Sequence, residues 1–240
     1  MQHTEIELNR EQATYLDLYL NNTENRLPLI FIVPGGGGYK QFQAKDSARV
    51  ALSFMTKGYQ AAVIRYPIGD HKNYADSKAT VAAAVQYVVD HAAELNVDTD
   101  KLGMLGFSAG GQLVAEYSTH ANNALKYVLL GYPVIAPTLD EGMGVKSEDV
   151  NALVTEQTLP TFIFGSINDT VTPYTQHIGP YSETLATNHV PFELHEFSTG
   201  KHGISLANEY VADQNAGKVY PEFASWFEMA LNWLQHYTNE

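Results

Sequence analysis

Cysteine is absent from this chain of 240 residues, which excludes disulfides, thiolate metal ligands and a thiol nucleophile. The absence fits a reducing compartment, and a cytoplasmic location is expected. Basic residues are scarce as well: 14 Lys and Arg stand against 27 Asp and Glu, a formal net charge of −13. A surface of that sign repels phosphate backbones and anionic lipid headgroups, which argues against nucleic-acid and membrane partners. A neutral or cationic small molecule is easier to accommodate. No apolar run approaches the roughly eighteen residues of a membrane-spanning helix. The opening Met1-Gln-His-Thr-Glu-Ile-Glu-Leu8 has neither a basic nor an apolar stretch, so no signal peptide is expected. Repeats, linkers and low-complexity segments are also lacking, and one continuous domain over residues 1–240 is expected. A chain of this length buries about 70–75% of its unfolded surface on folding, so no structural metal is needed for a core. Nine histidines are present, but no H-x-x-x-H or H-E-x-x-H pair, and no metal site is expected.

What is present is a regular alternation of apolar runs. Glu5-Ile-Glu-Leu8 and Tyr15-Leu-Asp-Leu-Tyr-Leu20 alternate with the period of half-exposed strands and predict an antiparallel start to a sheet. Runs near 28–33, 59–65, 101–107, 126–132, 160–165 and 192–198 are denser in apolar residues, as strands covered on both faces must be. Val81, Val85, Val88 and Ala92 share one helix face, and Phe223, Trp226, Phe227, Ala230, Leu231 and Leu234 share another, with Pro221 suited to its first turn. The pattern predicts an α/β protein: a mostly parallel sheet of about eight strands with helices on both faces.

The run Lys101-Leu-Gly-Met-Leu-Gly-Phe-Ser-Ala-Gly-Gly-Gln-Leu-Val-Ala115 carries the most chemistry. It reads as strand, sharp turn and helix, with G-x-S-x-G from Gly106 to Gly110 at the turn. Such a turn projects its serine outward at the start of the helix, and small residues at Gly106 and Gly110 avoid collisions with the neighbouring elements. Upstream, Leu29-Ile-Phe-Ile-Val33 meets Pro34-Gly-Gly-Gly-Gly38, a backbone able to approach an oxyanion closely with its N–H groups. A dinucleotide fingerprint would need glycine where Lys40 stands, and a phosphate-binding loop would need Gly-Lys-Ser/Thr, which is absent. A serine nucleophile also needs a base and an acid that orients it, in the chain order Ser, Asp/Glu, His. Asp169 follows the run Pro160-Thr-Phe-Ile-Phe-Gly165, and His202 follows Phe192-Glu-Leu-His-Glu-Phe197. Both fall at carboxyl ends of predicted strands, as Ser108 does, where open α/β sheets place their ligands. Asp140, Glu141 and Asp149 are alternative acids, although they precede the strand that carries Asp169. His195, inside a predicted strand, is read as structural.

With these residues in place, the chain resembles the α/β-hydrolase superfamily from about Leu27 to the C-terminal helix. Pro34-Gly-Gly-Gly-Gly-Tyr39, Gly58-Tyr-Gln-Ala-Ala-Val-Ile-Arg-Tyr66, Gly106-Phe-Ser-Ala-Gly-Gly111, Pro191-Phe-Glu-Leu-His195 and His202-Gly-Ile-Ser205 resemble its acetyl-esterase branch, which contains acetylxylan and feruloyl esterases. Lipase-like relatives carry His-Gly-Gly-Gly; Pro34 replaces that histidine here. The resemblance implies Ser108 as nucleophile, His202 as general base then acid, Asp169 as orienter, and amides of Gly36, Gly37 and Ala109 as oxyanion hole. It implies hydrolysis of short-chain acyl esters, acetylated sugars or xylo-oligosaccharides among them, without a cofactor. A lipase for longer acyl chains, a small serine peptidase and a non-catalytic binder with the same fold are the alternatives. Residues 135–159 stand where this fold often inserts a cap. They are too few for a cap domain, and an open or lightly covered site is expected, with residues 207–220 as a second candidate rim.

Overall fold

The computed structural model describes residues 1–238. Eight strands are formed: β1 (Gln2–Asn9), β2 (Thr14–Leu20), β3 (Leu27–Val33), β4 (Gln60–Arg65), β5 (Val97–Phe107), β6 (Tyr127–Gly131), β7 (Thr161–Ser166) and β8 (Phe192–Phe197). They make one sheet in the order β1-β2-β4-β3-β5-β6-β7-β8. The first two strands run antiparallel to their neighbours, and β4 through β8 pair in parallel around β3. Helical segments are α1 (Gly36–Tyr39), α2 (Ala48–Met55), α3 (Tyr74–Asp90), α4 (Ser108–Tyr117), α5 (Asp140–Met143), α6 (Ile178–Thr187), α7 (Pro221–Ala224) and α8 (Trp226–Thr238).

The dense apolar runs are explained by cores on both faces of the sheet. In β3, Leu29, Phe31 and Val33 point to a core closed by α3, α4 and α6, while Ile30 and Ile32 point to one closed by α2 and α8. A strand used this way leaves no position for a polar side chain. Val81, Val85, Val88 and Ala92 are buried in the first core, and the ring of Trp226 stacks on Phe164 in the second, centroids 4.0 Å apart.

One expectation is corrected. The apolar stripe from Phe223 to Leu234 reads as a single helix, but α7 stops at Ala224 and α8 restarts at Trp226. At the junction the Ser225 amide and hydroxyl both donate to the Glu222 carbonyl, the hydroxyl at 2.5 Å, and Ser225 itself keeps helical φ and ψ. The stripe still packs on the core across the break, with Phe227 and Leu231 half-buried and Trp233 added to it.

Candidate active site

Ser108 follows β5 directly and opens α4 with a φ of +52°, the left-handed region that side chains avoid. Two glycines make the turn sterically possible. A Cβ on Gly106 would lie 2.5 Å from the Gly110 carbonyl oxygen, and one on Gly110 would strike the carbonyls of Val33 and Pro34. The turn is therefore clamped between α4 and the end of β3.

The structure brings Ser108, His202 and Asp169 together at the carboxyl ends of β5, β8 and β7. Ser108 Oγ lies 2.8 Å from His202 Nε2, and His202 Nδ1 lies 2.7 Å from Asp169 Oδ2. A carboxylate can only accept, so Nδ1 carries the proton and Nε2 offers its lone pair to the serine hydroxyl. Asp169 is almost wholly buried. Burial pushes its carboxyl upward, but the His202 hydrogen bond and charge, and the amides of Thr172 and Val171, outweigh it and hold it below the ordinary range. Those amides donate to Asp169 Oδ1 at 2.9 and 2.8 Å, and Thr172 Oγ1 donates to Oδ2 at 3.0 Å. Asp140 is engaged elsewhere, accepting from the amide and hydroxyl of Ser147. His195 stays in β8, with its Nε2 2.6 Å from Glu193.

The glycine turn passes directly over the serine. An added Gly35 Cβ would stand 3.1 Å from Ser108 Cβ, and Gly36, Gly37 and Gly38 all have positive φ. Tyr66 fixes the turn: its hydroxyl donates to the Pro34 carbonyl at 2.8 Å and occupies the place of a Gly36 side chain. A cavity of about 280 Å³ opens here, lined by Gly37, Gly38, Ser108, Val134, Leu139, Gly142, Met143, Val171 and His202. Of the three expected oxyanion donors, Gly37 lines this cavity, Gly36 is buried under Tyr66, and Ala109 is buried beside Ser108 in the first turn of α4. A larger cleft of about 450 Å³, with Lys57 and Glu228 in its wall, lies at the opposite ends of β3 and β4, away from Ser108, His202 and Asp169.

Residues 135–159 supply one wall of the cavity through Leu139, Gly142 and Met143, whereas residues 207–220 contribute none of its lining. The covering segment is held at its root by His177, which sequence patterning does not single out. The fully buried ring accepts the Ile135 and Ala136 amides at Nδ1, 3.1 and 3.4 Å away, and meets Thr138 at Nε2. Burial lowers its pKa to about 4, so it stays the neutral acceptor this role demands. Asp46, Tyr66, Tyr132 and Thr172 are likewise site neighbours without a sequence motif. Only the positive φ of Tyr132, +37°, marks one of them as unusual, and that is a tertiary observation.

Among the described residues, no group of three or more His, Cys, Asp or Glu side chains is placed to hold a metal ion, and no helix is long and apolar enough to cross a membrane.

Comparison with known proteins extends the geometry. The BD-FAE family model matches residues 16–131. MGS-M1, an α/β-hydrolase enzyme from a Medee basin deep-sea metagenome library, is 27% identical with a TM-score of 0.90, over 100% of this chain and 99% of its own. A Lactobacillus plantarum protein solved as a carboxylesterase candidate is 30% identical with a TM-score of 0.78, over 98% of both chains. An acetyl ester-xyloside bifunctional hydrolase from Caldicellulosiruptor lactoaceticus is 25% identical with a TM-score of 0.82, over 97% of this chain and 96% of its own. Among curated sequences, endo-1,4-beta-xylanase B of Butyrivibrio fibrisolvens is 26% identical over 224 residues, and this chain spans 34% of its length. With this sheet order, this glycine-clamped turn and these relatives, the chain belongs to the α/β-hydrolase superfamily, among its carboxylesterases.

Proposed function

We propose that this chain, as one domain over residues 1–240, hydrolyses short-chain, acetyl-like esters by a two-step acyl-enzyme mechanism. The observation that carries the reading is the continuous hydrogen-bonded line from Ser108 through His202 to Asp169, at 2.8 and 2.7 Å. Ser108 Oγ attacks the acyl carbonyl while His202 Nε2 takes its proton. Asp169 stabilises the resulting imidazolium and holds its ring in place. The developing oxyanion is received by amides of the glycine turn and the first turn of α4, with Gly36, Gly37 and Ala109 as the assigned donors. His202 returns the proton to the leaving alcohol. Water, deprotonated by the same imidazole, then releases the acid. No step requires a cofactor.

The acyl preference is supported by a cavity of about 280 Å³, at the small end of the ~300–1,000 Å³ usual for ligand pockets. For the alcohol half we assign acetylated sugars or xylo-oligosaccharides, supported by the acetyl ester and xyloside activities named for the Caldicellulosiruptor protein. The lack of cysteine supports a cytoplasmic setting.

The test is hydrolysis of p-nitrophenyl acetate, butyrate and decanoate by the intact chain and by Ser108→Ala. Acetate or butyrate is expected to lead in kcat/KM, with turnover abolished by the substitution. Decanoate preference would reverse the acyl assignment, and Ser108-independent turnover would remove the mechanism.

A further inference from the structure

A second buried carboxyl lies beside the Ser108–His202 pair and takes no part in the proton transfers above. Asp46 closes the short turn Ala44–Asp46 and is 7% exposed. Its Oδ2 lies 3.4 Å, and Ser108 Cβ 3.1 Å, from the point where a Gly35 Cβ would stand, so both pack against Gly35. Its Oδ1 lies 3.5 Å from the Tyr132 hydroxyl. That hydroxyl accepts the Ser205 amide at 3.0 Å, three residues beyond His202, and the Tyr132 ring meets the His202 ring edge-on with centroids 5.0 Å apart. Tyr132 thus touches Asp46, the backbone beyond His202, and His202 itself.

No Lys or Arg pairs with Asp46 among the described residues. The neighbouring Lys45 makes no ion pair with it: its ammonium donates to Asn215 Oδ1 at 3.1 Å and acts on Asp46 only through space. A buried carboxylate without a paired cation is costly, and an amide of the same shape would pack there without that cost. The arrangement makes sense if the charge is repaid at a particular moment, when the neighbouring imidazole becomes cationic.

Resting on the Ser108 mechanism above, we propose that the ionised Asp46 is a second negative charge for the His202 imidazolium, a positioning residue that acts through Tyr132 and Gly35 and never touches the ester. Asp169 supplies the directed hydrogen bond; Asp46 supplies field from another side of the ring. Asp46 shares its surroundings with Lys45 on its own turn, His202 from the loop after β8, Tyr132 after β6, and Tyr66 after β4. Burial raises the carboxyl to about 6, against the pull of Lys45 and His202, while burial holds both tyrosines neutral. Asp46 is therefore charged at pH 8 and protonated at pH 5.

The experiment measures kcat and KM for p-nitrophenyl acetate between pH 5 and 8, in wild type and Asp46→Asn. The expected wild-type to variant ratio in kcat is on the order of tenfold at pH 8, the size of a single charge interaction at several ångströms in a protein interior, falling towards unity at pH 5 with KM unchanged. A ratio that stays constant with pH, or a variant as fast as wild type throughout, overturns the proposal, because a merely structural role does not titrate. Should Asp46→Asn fail to fold, the wild type still decides. The His202 ring resonances, followed by NMR, must show a second inflection near pH 6 from the neighbouring carboxyl, and a single transition would overturn the coupling. That titration needs no substrate, so it separates failure of this proposal from failure of the esterase reading, which Ser108→Ala tests alone.

Discussion

At the scale of single residues, the proposed mechanism makes Ser108, His202 and Asp169 a single unit. In the proposed mechanism Ser108 and His202 share one proton path, so Ser108→Ala and His202→Ala are each expected to lower kcat by about 10⁴-fold or more, and the double variant to be little worse than either. Steady-state kinetics of the three variants checks this; strictly multiplicative losses would contradict a shared unit. Glu196 makes a different prediction. Both its carboxyl oxygens are buried without a hydrogen-bond partner, and burial, with the nearby Asp169 charge, pushes its pKa up to about 7. A carboxyl raised in the folded state contributes stability below its unfolded pKa, and that contribution is lost as pH climbs through about 7. Glu196→Gln should therefore raise the melting temperature over wild type at pH 8 and lose that advantage at pH 4, which paired thermal melts can read.

At the scale of elements, the short helix α5 and its flanks wall the cavity at Ser108, and on the proposed reading they set the size of the acyl group. Met143 Cγ is 3.5 Å from the point of a Gly38 Cβ, placing the methionine against the glycine turn. Gly142, one residue earlier and also in the cavity wall, has nothing within 4 Å of its own Cβ point and no positive φ. A larger residue can enter at 142 without disturbing the backbone, and helix propensity favours it over glycine. Gly142→Val is expected to lower kcat/KM for butyrate relative to acetate by about tenfold, a few methylene contacts' worth, while Met143→Ala shifts the preference towards longer acyl chains. A p-nitrophenyl ester series on both variants checks the two opposite directions. Unchanged profiles would mean that the variable part of the substrate lies elsewhere.

At the scale of the whole molecule, the core and the site are mechanically joined. Trp226 is fully buried in α8, stacks on Phe164 of β7, and donates its indole N–H to the Ser205 carbonyl at 3.0 Å. Ser205 in turn anchors Tyr132 beside His202. Trp226→Ala is expected to cost about 3–5 kcal/mol of stability, as truncation of a large core aromatic does. The folded fraction that remains should also turn over more slowly, since the loop carrying His202 loses a tether. Denaturant melts alongside activity normalised to folded protein separate the two effects. Full activity per folded molecule would show that the loop holds its position without the indole.

Much of this molecule is written in local sequence. Strand positions follow from apolar density, because strands covered on both faces have no polar positions. Ser108, Asp169 and His202 stand out because each lies in a loop directly after an apolar strand, and parallel topology gathers those loops at one edge of the sheet. Gly106 and Gly110 are legible because a tight turn has few steric solutions. The break at Ser225 was hidden, since a local change in helical hydrogen bonding leaves the hydrophobic period intact. Also hidden were the size of the cavity, its Leu139–Met143 wall, the neutral His177 at the root of that wall, and the Asp46–Tyr132–Ser205 chain. These depend on contacts between segments far apart along the chain, each an ordinary Asp, Tyr, Ser or His in its own neighbourhood. Local sequence determined the fold and which three side chains would meet. What surrounds them, and hence the space and the electric field at the serine, was decided only when the chain closed on itself.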